Sequence, residues 1–306
     1  MLTAVLSLSG ALVFGAADFL GGLAAKRINA MLATAVAGLT GLVLLLVVAP
    51  FLGGAWTAHD VLWGIISGVA GAVAITLLYA ALAIGPMSIL SPLTAVISAV
   101  VPMAWGLVVS GERLATLGYW ALGLALVAVV LVGFVPERGA VRPSLRGLVL
   151  ATGSGLAIGT FFITIDQTSD ESGITPLILN RGVSAGLIFT ALGVLAVARA
   201  MRRRRRYAVD ERMPRAAAAR TAAPRRTAVT AGLRLAVACG VVDVTANTLL
   251  LLGIRAGDLS VAAVLGAMYP AGTILLAAVV LKERIAPVQW VGLALALTAA
   301  GMLALA

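Results

Sequence analysis

Four ionisable residues fall inside stretches of chain that are otherwise strongly apolar: Asp18, Asp166, Arg181 and Asp243. A charged side chain inside a bilayer is costly, so such groups pair with one another, face a water-filled cavity or line a substrate path. Asp243 is the leading candidate. Asn247 lies four residues on, so an acid and an amide project from one helix face while Thr245 points elsewhere. Together they could bind a polar substrate, and the acid could exchange a proton. Two other readings stand beside that one: a structural ion pair with Arg181, one helix away, or a membrane span shorter than drawn. Arg181 has Asn180 and Ser184 beside it, and its guanidinium could grip a carboxylate through two parallel hydrogen bonds. Asp18 sits about two turns from Lys26 and Arg27, too far for direct pairing, and is expected to face a cavity. Asp166 lies near the outer end of its helix.

The elements that hold these residues are membrane helices. The chain is 61% hydrophobic and only 11% charged, where a soluble domain carries roughly a quarter charged residues. A spanning helix needs about 20 mainly apolar residues. Ten stretches qualify: 3–24, 31–53, 60–84, 87–110, 116–135, 146–168, 174–198, 231–254, 258–281 and 286–305. Gly64/Gly68, Gly155/Gly159 and Gly182/Gly186 have the small-residue spacing of close helix packing. Pro92, Pro102 and Pro270 are expected to kink the fourth and ninth spans, with freed carbonyls available for gating. Tyr79, Trp105 and Tyr269 are candidates for the cavity wall, though aromatics in membrane helices also pack or anchor at interfaces.

The chain repeats itself. The stretch from Gly85 to Gly133 returns as Gly257 to Leu305 at an offset of about 171, which lays Glu112-Arg113 on Glu283-Arg284 and Tyr119 on Trp290. Each copy is a proline-bearing helix, a Glu-Arg turn and a second helix. The heads of the repeats match less well, with Gly15 laid on Gly159 at an offset of about 144. The excess falls in the Arg-rich link at about 199–230. Two sets of five spans, residues 1–138 and 139–306, therefore predict an all-α membrane protein of ten transmembrane helices in two inverted five-helix repeats, with its site near the midplane. Glu112, Arg113, Glu283 and Arg284 at helix ends are expected to fix turns.

The positive charge is unevenly spread. Links after the odd spans hold nearly all the Lys and Arg, whereas those after the even spans hold only Arg113 and Arg255. The positive-inside rule then places the odd links in the cytoplasm and both termini outside. The N-terminal stretch lacks the basic start of a secretory signal, and Asp18 interrupts it, so it is expected to be a retained helix. Arg202 to Arg206 set topology and meet anionic lipid headgroups. The segment running on to Arg226 is expected to be disordered or loosely helical.

One cysteine and one histidine allow neither an intrachain disulfide nor a Cys/His zinc site. No metal or other cofactor is expected, nor nucleic-acid binding, since the high net charge reports one link. No Gly-rich loop ending in Lys-Ser or Lys-Thr is present for ATP binding. A membrane-embedded transferase would need a His, paired acids or a metal motif; His59 beside Asp60 is the one local pair of that kind. A non-transporting scaffold or lipid-binding protein would suit the polybasic link but leaves the mid-membrane polar groups without a role.

Three features resemble the EamA family of the drug/metabolite transporter superfamily. They are the paired tails SPLTAVISAVVPMAWGLVVSGERL and AAVLGAMYPAGTILLAAVVLKERI; the segment Leu78 to Gly85, with Leu251 to Gly257 in the equivalent place; and the opening helix from Phe14 through Lys26. The second copy departs with Lys282 at the place of Gly111, and Pro270 lies about one turn before the match of Pro102. The resemblance implies a secondary transporter of the bacterial-type cytoplasmic membrane, moving a small metabolite or drug-like molecule by alternating access, more in the direction of export, with H+ as a candidate coupling ion.

Overall fold

The computed structural model describes residues 1–28, 30–84, 87–133, 143–209, 226–282 and 284–305, leaving out the side chains of 30–31, 79, 82–83, 87–88, 91, 192, 195–209 and 226–228. Among the described residues the chain is helical with no strand. The helices are α1 (Leu2–Ala25), α2 (Ala30–Leu52), α3 (Ala58–Ile84), α4 (Met87–Val108), α5 (Thr116–Gly133), α6 (Leu145–Asp166), α7 (Thr175–Val209), α8 (Arg226–Arg255), α9 (Leu259–Gly266), α10 (Tyr269–Val280) and α11 (Pro287–Leu305). A short 3-10 turn, Asp170–Ser172, joins α6 to α7. The ten predicted spans are all helical, the ninth being the pair α9 and α10. Among the described residues eight segments are long and apolar enough to cross a bilayer, and Pro92–Val108 in α4 is a shorter apolar one.

Side-chain size sorts these helices. Fully buried positions are dominated by alanine and glycine: Ala11, Ala81, Ala99, Ala121, Ala125 and Ala128 have no exposed surface. Large apolar residues such as Phe51, Trp120 and Val108 point outward, at 84%, 73% and 81% exposure. A bilayer solvates leucine and valine as well as a protein core does, so hydrophobic burial gives little drive for association. Close backbone approach and van der Waals contact between small residues supply it. Two of the three small-residue pairs act this way. A Cβ on Gly64 or Gly68 would press into Leu179 and Val183 of α7, and one on Gly155 or Gly159 into Ile97 and Val101 of α4. The third pair does not: a Cβ on Gly182 or Gly186 would meet nothing within 4 Å among the described residues.

The packing partners come in matched sets. Helix α8 lies against α1 and α2, and α3 lies against α6 and α7. Helix α6 also packs on α4, as α1 does on α9 and α10. Seams run between α2 and α7, α4 and α9, and α5 and α11. Individual contacts match as well. A Cβ on Gly15 would overlap the Tyr269 carbonyl and lie 2.5 Å from the Thr273 nitrogen, while one on Gly159 would lie 2.8 Å from Val101 Cβ and 3.1 Å from Pro102 Cδ. The Ser154 hydroxyl donates to the Ala74 carbonyl at 2.9 Å, and Gly10 crosses the Ala246 carbonyl at the corresponding place on α8.

Proline acts differently in the two tails. Helix α4 runs unbroken through Pro92 and Pro102. The other tail is cut in two: α9 ends at Gly266, and Pro270 occupies the first turn of α10, where its missing N–H costs nothing. The break keeps its backbone bonded, with Ala267 N–H donating to Ala263 O and Met268 N–H to Leu265 O, both at 3.0 Å. Helix α7 runs past the predicted span end at 198 to Val209, so Arg202 to Arg206 lie on helix; the side chains of that run, and residues 210–225 of the link expected to be disordered or loosely helical, lie outside the described residues.

Candidate functional site

Helix α1 is packed by α2, α8, α9, α10 and α11, yet Asp18 is exposed. Its side chain therefore lies on a part of α1 that these neighbours leave uncovered. No side chain among the described residues hydrogen-bonds it. Its titratable neighbours are the acid Asp243 on α8 and the neutral side chains Tyr269 on α10 and Cys239 on α8. Phe14 precedes Asp18 by four residues, so both lie on one stripe of α1. The Phe14 and Tyr269 rings meet edge to face with centroids 5.9 Å apart.

Asp243 sits across from Asp18 and is held from two sides. Arg181 of α7 donates Nη2–H to Asp243 Oδ2. Asn247 donates from Nδ2 to Asp243 O at 2.8 Å and to Oδ1 at 3.3 Å. The pair is half-buried, with side-chain exposures of 20% and 17%. The acid–amide stripe predicted on α8 is thus present, and so is the ion pair with Arg181. The pair reaches from the α3–α6–α7 group to the α1–α2–α8 group. Cys239, one turn before Asp243, donates Sγ–H to Ala17 O at 3.2 Å.

Other predicted residues go elsewhere. Asn180 is buried and donates to Ser67 Oγ at 3.2 Å, and Ser184 donates to Gly68 O at 2.7 Å. Both join α7 to α3, leaving Arg181 as the side chain of that stretch that crosses to α8. Trp105 is exposed near the end of α4, and no contact ties it to the Asp18 group. The Tyr79 side chain and Glu283 lie outside the described residues. Arg113 and Arg284 are exposed. Glu112 forms no turn pair with Arg113; it crosses to α9 and accepts from Leu259 N–H at 2.8 Å and Ser260 N–H at 3.1 Å. A carboxylate there satisfies orphan donors and suits the helix dipole. Asp258, beside that cap, is pushed up from the ordinary carboxylate range by burial and then by the Glu112 charge.

A second polar assembly closes the end of the bundle that carries the links after α2, α4, α6 and α8. Arg255, at the end of α8, donates to Gly173 O at 2.8 Å, Ser169 O at 3.0 Å and Ser172 Oγ at 2.8 Å. Asp170 Oδ1 lies 3.7 Å from its Nε. Fully buried Asp60 holds the same link from α3, accepting from Ser169 N–H at 2.7 Å, Ser169 Oγ at 3.0 Å and Thr57 Oγ at 2.6 Å. His59 meets Gln167 O at 2.9 Å, so the His59-Asp60 dipeptide ties loops together. Asp166 ends α6 at this face, where Gln167 Nε2 donates to it at 3.3 Å. Sequence reading counted Arg255 only as a loop charge and overlooked Phe14 and Cys239. An i, i+4 spacing to an acid, Phe14 to Asp18 and Cys239 to Asp243, was an available signal for both.

The sequence model of the EamA-like transporter family matches residues 145–305. No curated protein sequence matches. Among 29 matching chains of solved structures, one crystal structure superposes with a TM-score of 0.68 at 15% identity, over 99% of this chain and 98% of that one. That likeness concerns the fold.

Proposed function

The chain belongs to the EamA-like transporter family, and on that premise we propose that it is a secondary transporter exporting a small metabolite or drug-like molecule by alternating access. The observation that carries this reading is the Arg181–Asp243 pair close to exposed Asp18, which no described side chain hydrogen-bonds. A scaffold has no use for three charges at that depth, whose retention in a membrane is expensive. A transferase reading lacks its acid/base pair, because His59 and Asp60 are bonded into loops.

The matched packing supports two inverted repeats, residues 1–138 and 139–306. The offsets of about 144 and about 171 carry Gly15 to Gly159 and Gly272-Thr273 back to Val101-Pro102, the pairs in contact. In this reading the α1–α2–α8 and α3–α6–α7 groups rock against each other about the midplane site. Arg255 is the gate on the even-link face, because it joins α8 to the α6–α7 link. Asp18 and Asp243 carry the coupling proton. By charge distribution the even-link face and both termini are outside the cytoplasmic membrane, and the Arg-rich link is inside against anionic lipid.

The test compares internal and external metabolites in cells expressing wild type, Asp243→Asn or empty vector at matched membrane levels. A compound should leave wild-type cells and be retained in the mutant. No difference between wild type and empty vector in any medium, including rich extracts, would remove the transport reading. Equal export by wild type and mutant would keep transport and remove Asp243 from the path.

A further inference from the structure

Resting on the transport reading, we infer that the cargo carries an organic cation, an ammonium or guanidinium group on an apolar body, seated between the Asp18 carboxylate and the Phe14–Tyr269 ring pair. Three observations lead there. Charge balance comes first. Of these three charged groups, Arg181 and Asp243 neutralise each other, with Asn247 completing the acid's bonds. Asp18 is left over, exposed, with no hydrogen-bond donor among the described residues. A carboxylate in that setting needs a positive partner or a proton, and no other basic side chain of the described residues reaches it.

The second observation is the neighbouring surface. Phe14 is one turn from Asp18, and Tyr269 packs against it edge to face. Aromatic faces beside a carboxylate attract a cation and its hydrocarbon substituents together. The third is what is absent among the described residues: no group of three or more His, Cys, Asp or Glu could hold a metal ion. A bare inorganic cation needs several oxygen ligands, and rings do not supply them. An anionic cargo fits less well, since Arg181 is already engaged by Asp243 and a carboxylate would meet Asp18 unshielded.

The experiment titrates the purified full chain in detergent with benzyltrimethylammonium, phenylacetate and benzyl alcohol, which share a ring and differ in charge, and with sodium chloride alone. The ammonium should bind on the order of tenfold or more tighter than the other two. Asp18→Asn should weaken it by a similar factor, Asp18→Glu should retain it, and Tyr269→Leu, which leaves every charge in place, should weaken it several-fold (about 3, within the range of one cation–π contact). Phenylacetate binding as well as the ammonium, sodium alone competing the ammonium away at the site, an Asp18→Asn protein of unchanged thermal midpoint binding normally, or no ammonium binding at all would each overturn the inference. Proteoliposome uptake of the same probes separates the two claims. Asp18-dependent binding without uptake would refute transport and keep the site, whereas uptake of phenylacetate without ammonium binding would keep transport and refute the cation.

Discussion

Replacing Arg255 by Met should open the even-link face without unfolding the protein. Met keeps much of the aliphatic length of Arg255 and removes its guanidinium, which makes three hydrogen bonds while its side chain is only 14% exposed. A hydrogen bond to a charged group contributes about 1.5–3 kcal/mol, but the three are not equal here. Ser169 O keeps the Ser172 N–H at 3.1 Å and the Ser172 hydroxyl at 2.6 Å. Gly173 O loses its side-chain donor. In an open arrangement Arg255 would bond water, which lowers the net further. A loss of about 3 kcal/mol from the closed arrangement is a reasonable working figure, equivalent to about a hundredfold rise in the open population. The only cysteine of the chain donates to the carbonyl of Ala17, next to Asp18, so it is suited to report on access to the proposed path with no engineering. A membrane-impermeant maleimide applied to intact cells, on the face proposed to be outside, should label Cys239 up to about a hundredfold faster in Arg255→Met than in wild type. A labelling rate within about twofold of wild type, in a variant of normal thermal midpoint, would refute the gate. So would faster labelling only when the reagent is applied from the Arg-rich side.

Three further outcomes test the energetics. Arg181→Met alone should destabilise by about 2–4 kcal/mol because it strands Asp243, whereas Arg181→Met with Asp243→Leu should recover much of that loss; additive thermal-midpoint changes would mean the pair is not coupled. Gly15→Ala should cost about 1–3 kcal/mol, since its Cβ meets Thr273 and Tyr269 backbone that cannot swing away, while Gly182→Ala, with open space around it, should be near neutral. Asp258→Asn should stabilise above the ordinary carboxylate range. Burial and Glu112 raise the folded-state pKa, so ionised Asp258 opposes folding once pH exceeds its unfolded value, and the gain should vanish in acid where both forms are neutral. A gain of equal size at low and neutral pH would contradict that cause.

Much of the architecture is readable from one dimension because a bilayer imposes its thickness on the chain. Ten apolar stretches punctuated by glycine and proline map onto ten helical spans, including the divided ninth. Pairing between helices is harder to read, because any stripe of small residues can be an interface. Gly64/Gly68 and Gly182/Gly186 have the same spacing, yet the first pair is packed and the second faces open space. The difference lies in what the opposite helix presents, and no local pattern carries that. The candidate site shows the same division. Asp18, Arg181 and Asp243 stand out because charge is rare in spans, but the amide beside Arg181 serves α3, and the aromatic partner of Tyr269 comes from α1. Proline marks the two tails differently: α4 stays helical through Pro92 and Pro102, whereas the corresponding tail is interrupted directly before Pro270, where a proline disfavours helix in the residues ahead of it.

The divided ninth span constrains how the protein can be made. Helix α9 has eight residues, all buried, about 12 Å of helix at 1.5 Å per residue, well short of the hydrocarbon thickness. Its leading amides are satisfied by Glu112, synthesised some 147 residues earlier. When α9 leaves the ribosome its leading amides have no partner until Glu112 reaches them, although with α10 it is long enough to cross a bilayer. It must be received by a first half already inserted, with the link between α4 and α5 on the correct side. Biogenesis is therefore ordered: a chain expressed without its first five helices should leave α9 unsatisfied and exposed to membrane quality-control proteolysis, and supplying that first half as a separate polypeptide should rescue it.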